Sequence, residues 1–425
     1  MSHAYTTLAF QIPQNARPAV EAALVLLSNP AEDPFRSDLD QAAIVHFMCM
    51  AIVDGDPGNL DHLVIEMSSD GTEAEALALF EAGGALGDRV APLFRALELE
   101  PIQGRLAKHL IPVGSGWHNT PGLNFSGTPG LSVTRILREA ELADGLRDVI
   151  AERGTMGTPV EAVGQLRQAV TEDARFGELQ DLAEAADPVP FLAPERAAGL
   201  NLKIGLQIIW GATKKLLWPI FLIAAAIAVY RVWPNYSEQS LVVSALAFAW
   251  RFLAWSLLLV VVTYGVIFIA LRRRENDERP DGSLPDIERL DEVRSYEDTM
   301  GAQNHLFGVS RMKPGFLRKY LLRLAFWLIA FVATRVYRPG FLSGIGTIHF
   351  ARWFRLPGTD KLIFCSNYGG SWESYLEDFI TKAPLGLTAV WSNTVGFPPT
   401  KFFFCLLYTS PSPRDRTRSR MPSSA

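Results

Sequence analysis

Two stretches in the middle of the chain are apolar without any period. "LLWPIFLIAAAIAVYRVW" (216–233) and "RFLAWSLLLVVVTYGVIFIALRRR" (251–274) offer no polar face. A surface helix of a soluble domain keeps one, and about twenty apolar residues cross a bilayer. The pattern therefore predicts a helical hairpin, with spans at about 216–233 and 252–271. Lys214 and Lys215 precede the first span and Arg272, Arg273 and Arg274 follow the second, whereas the joining "PNYSEQS" (234–240) has no Lys or Arg. The positive-inside rule places both outer flanks in the cytoplasm and the short loop outside. A third apolar stretch, "YLLRLAFWLIAFVATRVY" (320–337), is interrupted by Arg323 and Arg335. It is expected to lie on the membrane surface as a helix over about 316–337. A third span is the alternative.

On either side the pattern changes to short runs of strand and helix period. "HLVIEMSSDGTEAEALALF" (62–80) and "KLIFCSNYGGSWESYLEDF" (361–379) align without a gap, matching Leu63, Gly71 and Phe80 to Leu362, Gly370 and Phe379. Upstream, "VHF" (45–47) matches "IHF" (348–350), which sets His46 opposite His349. Each copy reads strand, helix, strand, turn, strand, helix, with "DGDPGN" (54–59) and "LPGTD" (356–360) as the turns. Thr72 and Ser371 are the expected N-caps of the closing helices. "WHNTPG" (117–122) and "WSNTVG" (391–396) echo each other after each copy.

Between the copies lie a Gly/Pro-rich stretch, a helical connector to about residue 200, the hairpin, and an acidic linker over 275–299. The stretch "GSGWHNTPGLNFSGTPG" (114–130) precedes a helical pattern. A Gly-rich loop before a helix is able to hold an anion. This one has no Lys and no Walker spacing, so a plain loop is expected. No G-x-S-x-G, H-E-x-x-H or paired-carboxylate signature occurs.

The chain ends in "CLLYTSPSPRDRTRSRMPSSA" (405–425). Residues 405–415 can be encoded by a transposase adaptor used in shotgun sequencing. Arg416–Arg418 fill an index-sized gap, and 419–425 fit the flow-cell end of the same adaptor. The segment resembles a translated adaptor, and the natural chain is expected to depart from this sequence near Phe404. Without the tail, 36 basic residues face 44 acidic ones, net −8. That balance offers no nucleic-acid footprint. Cys49 and Cys365 remain, too few for a disulfide framework, and no zinc spacing occurs. The N-terminal "MSHAYTTLAFQIPQNARP" lacks the pattern of a secretory leader.

The βαββα unit is ferredoxin-like, and two of them face to face resemble the dimeric α/β-barrel superfamily, over about 5–100 and 300–396. The "SNYGGSWESYLEDF" and "IHFARW" segments also resemble a bacterial family of membrane-associated proteins related in fold to dye-decolorising peroxidases. The resemblance implies an α+β fold, two ferredoxin-like units forming a pseudo-dimeric α/β barrel with an inserted transmembrane hairpin. It would sit at the bacterial inner membrane with its soluble parts on the cytoplasmic side. It also implies a peroxidase-like oxidoreductase carrying haem and acting on a small apolar or lipid-derived substrate. His349 is then the axial ligand with Arg352 as its polar partner, and His305 is the alternative ligand. Arg352 lies three residues from His349, on the opposite face of a regular strand, so one pocket holds both only across a bulge. Asn367 and Tyr368 are candidate substrate contacts in an apolar cavity. The peroxidase motif G-x-x-D-G is reduced to "SSDGT" in the first copy, and Gly369 stands where Asp70 does in the second.

Plainer readings stand beside these. His46 and His349 are strand-end histidines bonded to backbone. "SNYGGSWESYLEDF" is a turn and cap, with Glu373 and Asp378 in solvent. The whole is a non-catalytic ligand-binding or scaffold protein at the inner membrane surface.

Overall fold

The computed structural model describes residues 3–27, 34–81, 83–99, 102, 104–116, 118–153, 157–179, 202–233, 240–276 and 303–397. The expected outer loop up to 239, the acidic linker from 277 and the adaptor-like tail lie outside the described residues.

The chain divides into two compact units. One comprises Met1–Ala197, Asp291–Arg311 and Tyr337–Asp378; the other comprises Ala198–Leu290, Met312–Val336 and Phe379–Ala425. The first unit opens with β1 (His3–Gln11), α1 (Arg17–Leu27), α2 (Pro34–Ala42), β2 (Val45–Val53), β3 (His62–Asp70), α3 (Glu73–Ala78) and α4 (Gly87–Ala96). It continues with β4 (Val113–Gly114), β5 (Thr120–Ser126), α5 (Val133–Arg153) and α6 (Pro159–Glu172). After the excursion through α7 (Leu202–Val232) and α8 (Leu241–Asn276) come β6 (Gln303–Arg311), α9 (Phe316–Arg335), β7 (Ile348–Arg355), β8 (Lys361–Gly369), α10 (Trp372–Lys382) and α11 (Pro384–Trp391).

The strands form two sheets, ordered β1-β3-β2 and β4-β5-β7-β8-β6. β3 is the centre of the first and is buried on both faces. Period-2 alternation explains how. Leu63, Ile65 and Met67 join Leu8, Phe10, Val20, Phe80, Val90 and Phe94 in a core under the helices. Val64 on the other face packs with Val53, Ile111, Phe354, Ile363 and Cys365, so the second core lies between the two sheets. Thr72 and Glu75 form a reciprocal capping box at α3. Ser371 Oγ accepts the Ser374 N–H at the start of α10.

The architecture is α+β, as expected, but the expected barrel is not closed. Among the described residues the two sheets share no ladder. Their edges are taken up separately. The Ile111 N–H donates to Thr7 O beside β1, and β5 adds antiparallel to β7. That second pairing corrects the reading of 114–130 as a plain loop. Two of its glycines permit a close approach of strands. A Cβ on Gly122 would stand 2.2 Å from Trp353 O, and one on Gly127 would stand 1.8 Å from Ile348 O.

The second unit is helical. α7 and α8 pack with Phe221 against Phe252, ring centroids 6.2 Å apart. Only α8, over Leu241–Arg274, is long and apolar enough to cross a membrane among the described residues; the apolar part of α7, Leu217–Val232, is shorter. α8 leaves Trp250, Leu253, Leu257 and Val261 exposed. Among the described residues α9 is not apolar enough over its length to rank with α8, and it buries Leu322, Ala325 and Phe326.

Candidate functional site: a histidine–aspartate cluster between two sheets

Both aligned strands break register at the same place. Val45 pairs with Ser69 and Phe47 with Ser68, leaving His46 extra. Ile348 pairs with Tyr368 and Phe350 with Asn367, leaving His349 extra. An extra residue kinks a strand and re-aims its side chain. Each histidine is therefore turned to the side of the following phenylalanine, towards the opposite sheet. His349 stacks on Phe47, centroids 5.8 Å apart. Phe350 meets the rings of His46 at 5.0 Å and His3 at 5.3 Å. The bulge thus puts His349 and Arg352 on one face, which a regular strand would not.

Arg352 points into the gap, where both terminal nitrogens are engaged and Nε is buried without a partner. Its Nη1 donates to Thr6 O at 2.7 Å and to Thr7 Oγ1; its Nη2 donates to Met67 O at 3.0 Å and Ser68 Oγ at 3.5 Å. Glu66 Oε2 lies 3.4 Å from Nη1, with both side chains almost wholly buried. The guanidinium stands over the Tyr5 ring at 5.4 Å. Burial pushes the Tyr5 hydroxyl up to about 12, while the Arg352 charge pulls it down. Burial likewise pushes the Cys49 thiol up to about 12, with help from the Glu66 charge, so the thiol stays protonated and inert.

The other sequence candidates are divided between faces. Asn367 lies opposite His305 across β6 and β8, and its Nδ2 donates to His305 Nδ1 at 2.8 Å. With Nδ1 accepting, the neutral ring carries its proton on Nε2. Tyr368 points the other way and stacks on Tyr375 of α10 at 3.9 Å. Asn367 and Tyr368 therefore do not share a cavity. A haem would need an axial histidine facing open space. His349 lies against an aromatic ring, His305 is bonded to an amide, and both terminal nitrogens of Arg352 are occupied. These residues do not fit the group.

His46 does not bond to backbone, as the plainer reading had it, but to a carboxylate. Its Nε2 lies 3.0 Å from Asp70 Oδ1, and His3 Nε2 lies 3.8 Å from the same oxygen. Asp70 Oδ2 accepts the Val133 N–H at 2.8 Å, at the first turn of α5, where the helix dipole favours negative charge. His3 Nδ1 faces Ser126 Oγ at 3.1 Å, and its Nε2 faces Leu131 O at 2.8 Å. His3 and Asp70 are direct register partners. Sequence reasoning missed His3 and noted Asp70 only as a motif remnant. The pattern of "HAYTTLAFQ" (3–11) marks a strand, but only its pairing sets the first residue against the last of β3.

His46, His305 and His349 are all held below the ordinary histidine range. Burial is the main cause for each; the Asp70 carboxylate opposes it at His46, and Glu66 opposes it at His305. A histidine kept neutral in the fold binds fewer protons than in the unfolded chain. Its stabilisation is present above the unfolded value near 6.5 and is lost as pH falls through and below it. The expected slope is up to about 1.4 kcal/mol per pH unit for each such histidine. Urea midpoints at about pH 7.5 and about pH 5.5 check this. A midpoint unchanged or raised at the lower pH contradicts it.

Comparison with protein-family models, with curated proteins and with solved structures finds no match for the chain.

Proposed function

We propose that this is a membrane-anchored, non-catalytic scaffold or binding protein. In this reading two ferredoxin-like repeats pair through their sheets, and α7 and α8 form a hairpin in the bilayer. The carrying observation is the Arg352–Glu66 pair, which fills the space between the sheets where a redox cofactor would have to sit. The matched bulges at His46 and His349 support the pairing of two related repeats. The exposed apolar side chains of α8 support the anchor, because such a patch finds no partner in water. Lys214 and Arg272–Arg274 favour the cytoplasm for both outer flanks.

Two experiments test it. The full chain is expected in the membrane fraction, resistant to alkaline carbonate and extracted by detergent; release by carbonate alone removes the anchor. Purified protein supplied with haem is expected to show no protein-bound Soret band. A stoichiometric band, lost in His349→Ala, would restore the peroxidase-like reading.

A further inference from the structure

We infer that His3, His46 and Asp70 form a structural site for one divalent transition-metal ion of the zinc type. The three residues come from β1, β2 and β3, and their nearest ligand atoms all lie within 4.8 Å of one another. An ion held at about 2.0–2.2 Å by nitrogen and oxygen ligands in tetrahedral geometry spaces them about 3.4 Å apart. The separations of 3.0 Å and 3.8 Å from Asp70 Oδ1 bracket that spacing. A few tenths of an ångström bring these two onto it, and the two imidazole nitrogens, within 4.8 Å of each other, close on the ion by side-chain rotation. Two imidazoles and one carboxylate suit zinc, iron, cobalt or nickel rather than calcium or magnesium.

The surroundings supply what such ligands need. Without an ion His3 Nε2–H donates to Leu131 O at 2.8 Å. Ion binding would move the ring proton to Nδ1, where Ser126 Oγ at 3.1 Å accepts it, and leave the Nε2 lone pair for the ion. Outer partners of this kind fix the tautomer of a ligating histidine. Asp70 keeps Oδ2 on the Val133 N–H and leaves Oδ1 for the ion. Leu131 O, 2.8 Å from His3 Nε2, would be the fourth ligand and the second oxygen. Phe350 covers both rings and keeps the site dry. The second repeat has no equivalent. Opposite its His349 bulge, the places of His3 and Asp70 are taken by Gln303 and Gly369. The ion would therefore tie the three-stranded sheet to the segment between β5 and α5, a stapling role with no open position for chemistry.

The test uses tag-free full chain in detergent, stripped with chelator and titrated with Zn²⁺ alone or Co²⁺ alone. One equivalent is expected to bind, and the melting temperature is expected to rise with free Zn²⁺. His46→Ala is expected to lose binding at least tenfold and to abolish the Zn²⁺-dependent shift; His349→Ala, at the matching bulge, keeps both. Should His46→Ala fail to fold, Co²⁺ added to wild type decides instead. The intense visible bands of a tetrahedral nitrogen–oxygen site are expected, and their absence overturns the inference. Equal Zn²⁺ binding by wild type and a folded His46→Ala variant overturns it as well.

Discussion

Arg352→Met is expected to destabilise the sheet-bearing unit by about 3–5 kcal/mol, the cost of leaving a buried charge without its partner. Glu66 is 2 % exposed and would remain between the sheets beside Cys49. Thr6 O and Met67 O would lose their shared donor as well. Met matches most of the arginine's volume, so the loss reports charge and hydrogen bonds rather than a void. A second substitution, Glu66→Leu, is expected to return most of the stability, because an apolar pair of similar size often matches a buried ion pair. Urea denaturation of both variants measures the difference. A single variant within about 0.5 kcal/mol of wild type would show that the pair is solvated, and the scaffold reading would lose its carrying observation.

Phe350→Ala is expected to cost about 3–5 kcal/mol, in the range for deleting a buried aromatic ring. Phe350 is 3 % exposed. Its ring meets His3, Tyr5, His46 and Phe47, with centroids between 5.0 and 6.1 Å away. Little can collapse into the gap, because these contacts come from β1 and β2, both held in one sheet by β3. Water entering the cavity would also reach the histidines, and the pH dependence of stability is expected to weaken with it. Leu60→Ala, at a residue 41 % exposed, serves as the control and is expected to stay within about 0.5 kcal/mol. An equal effect of the two substitutions would mean that the space between the sheets is not packed.

Much of this arrangement is legible in the chain because it is local. Alternation over "KLIFCSNYG" (361–369) and "HLVIEMSSD" (62–70) marks strands, and each becomes the central strand of its repeat. Thr72 and Glu75 are three residues apart, so their capping box follows from spacing alone. The unbroken apolar run of α8 marks it as a membrane candidate without any tertiary information.

The β5 strand was hidden for a physical reason. "TPGLNFS" (120–126) carries Pro and Gly, which argue for a turn. Gly122, like Gly127 just after the strand, is explained only once β7 is beside it. Haem-like roles for His349 and Arg352 depended on what faced them. The chain shows that the residue types are present, but it does not show that Phe47 and Glu66 already occupy their partners' places.

The sequence by itself determined the two βαββα patterns, the long apolar helix and the helix caps, because each rests on residues within a turn or two of each other. Only the tertiary structure decided the rest. One extra residue at His46 and at His349 turned both rings inwards, since a bulge depends on a pairing register that no single strand encodes. The meeting of His3, His46 and Asp70 also required three strands to come into one ladder. Packing of two faces against each other sets that register, and it is a property of residues far apart in the chain.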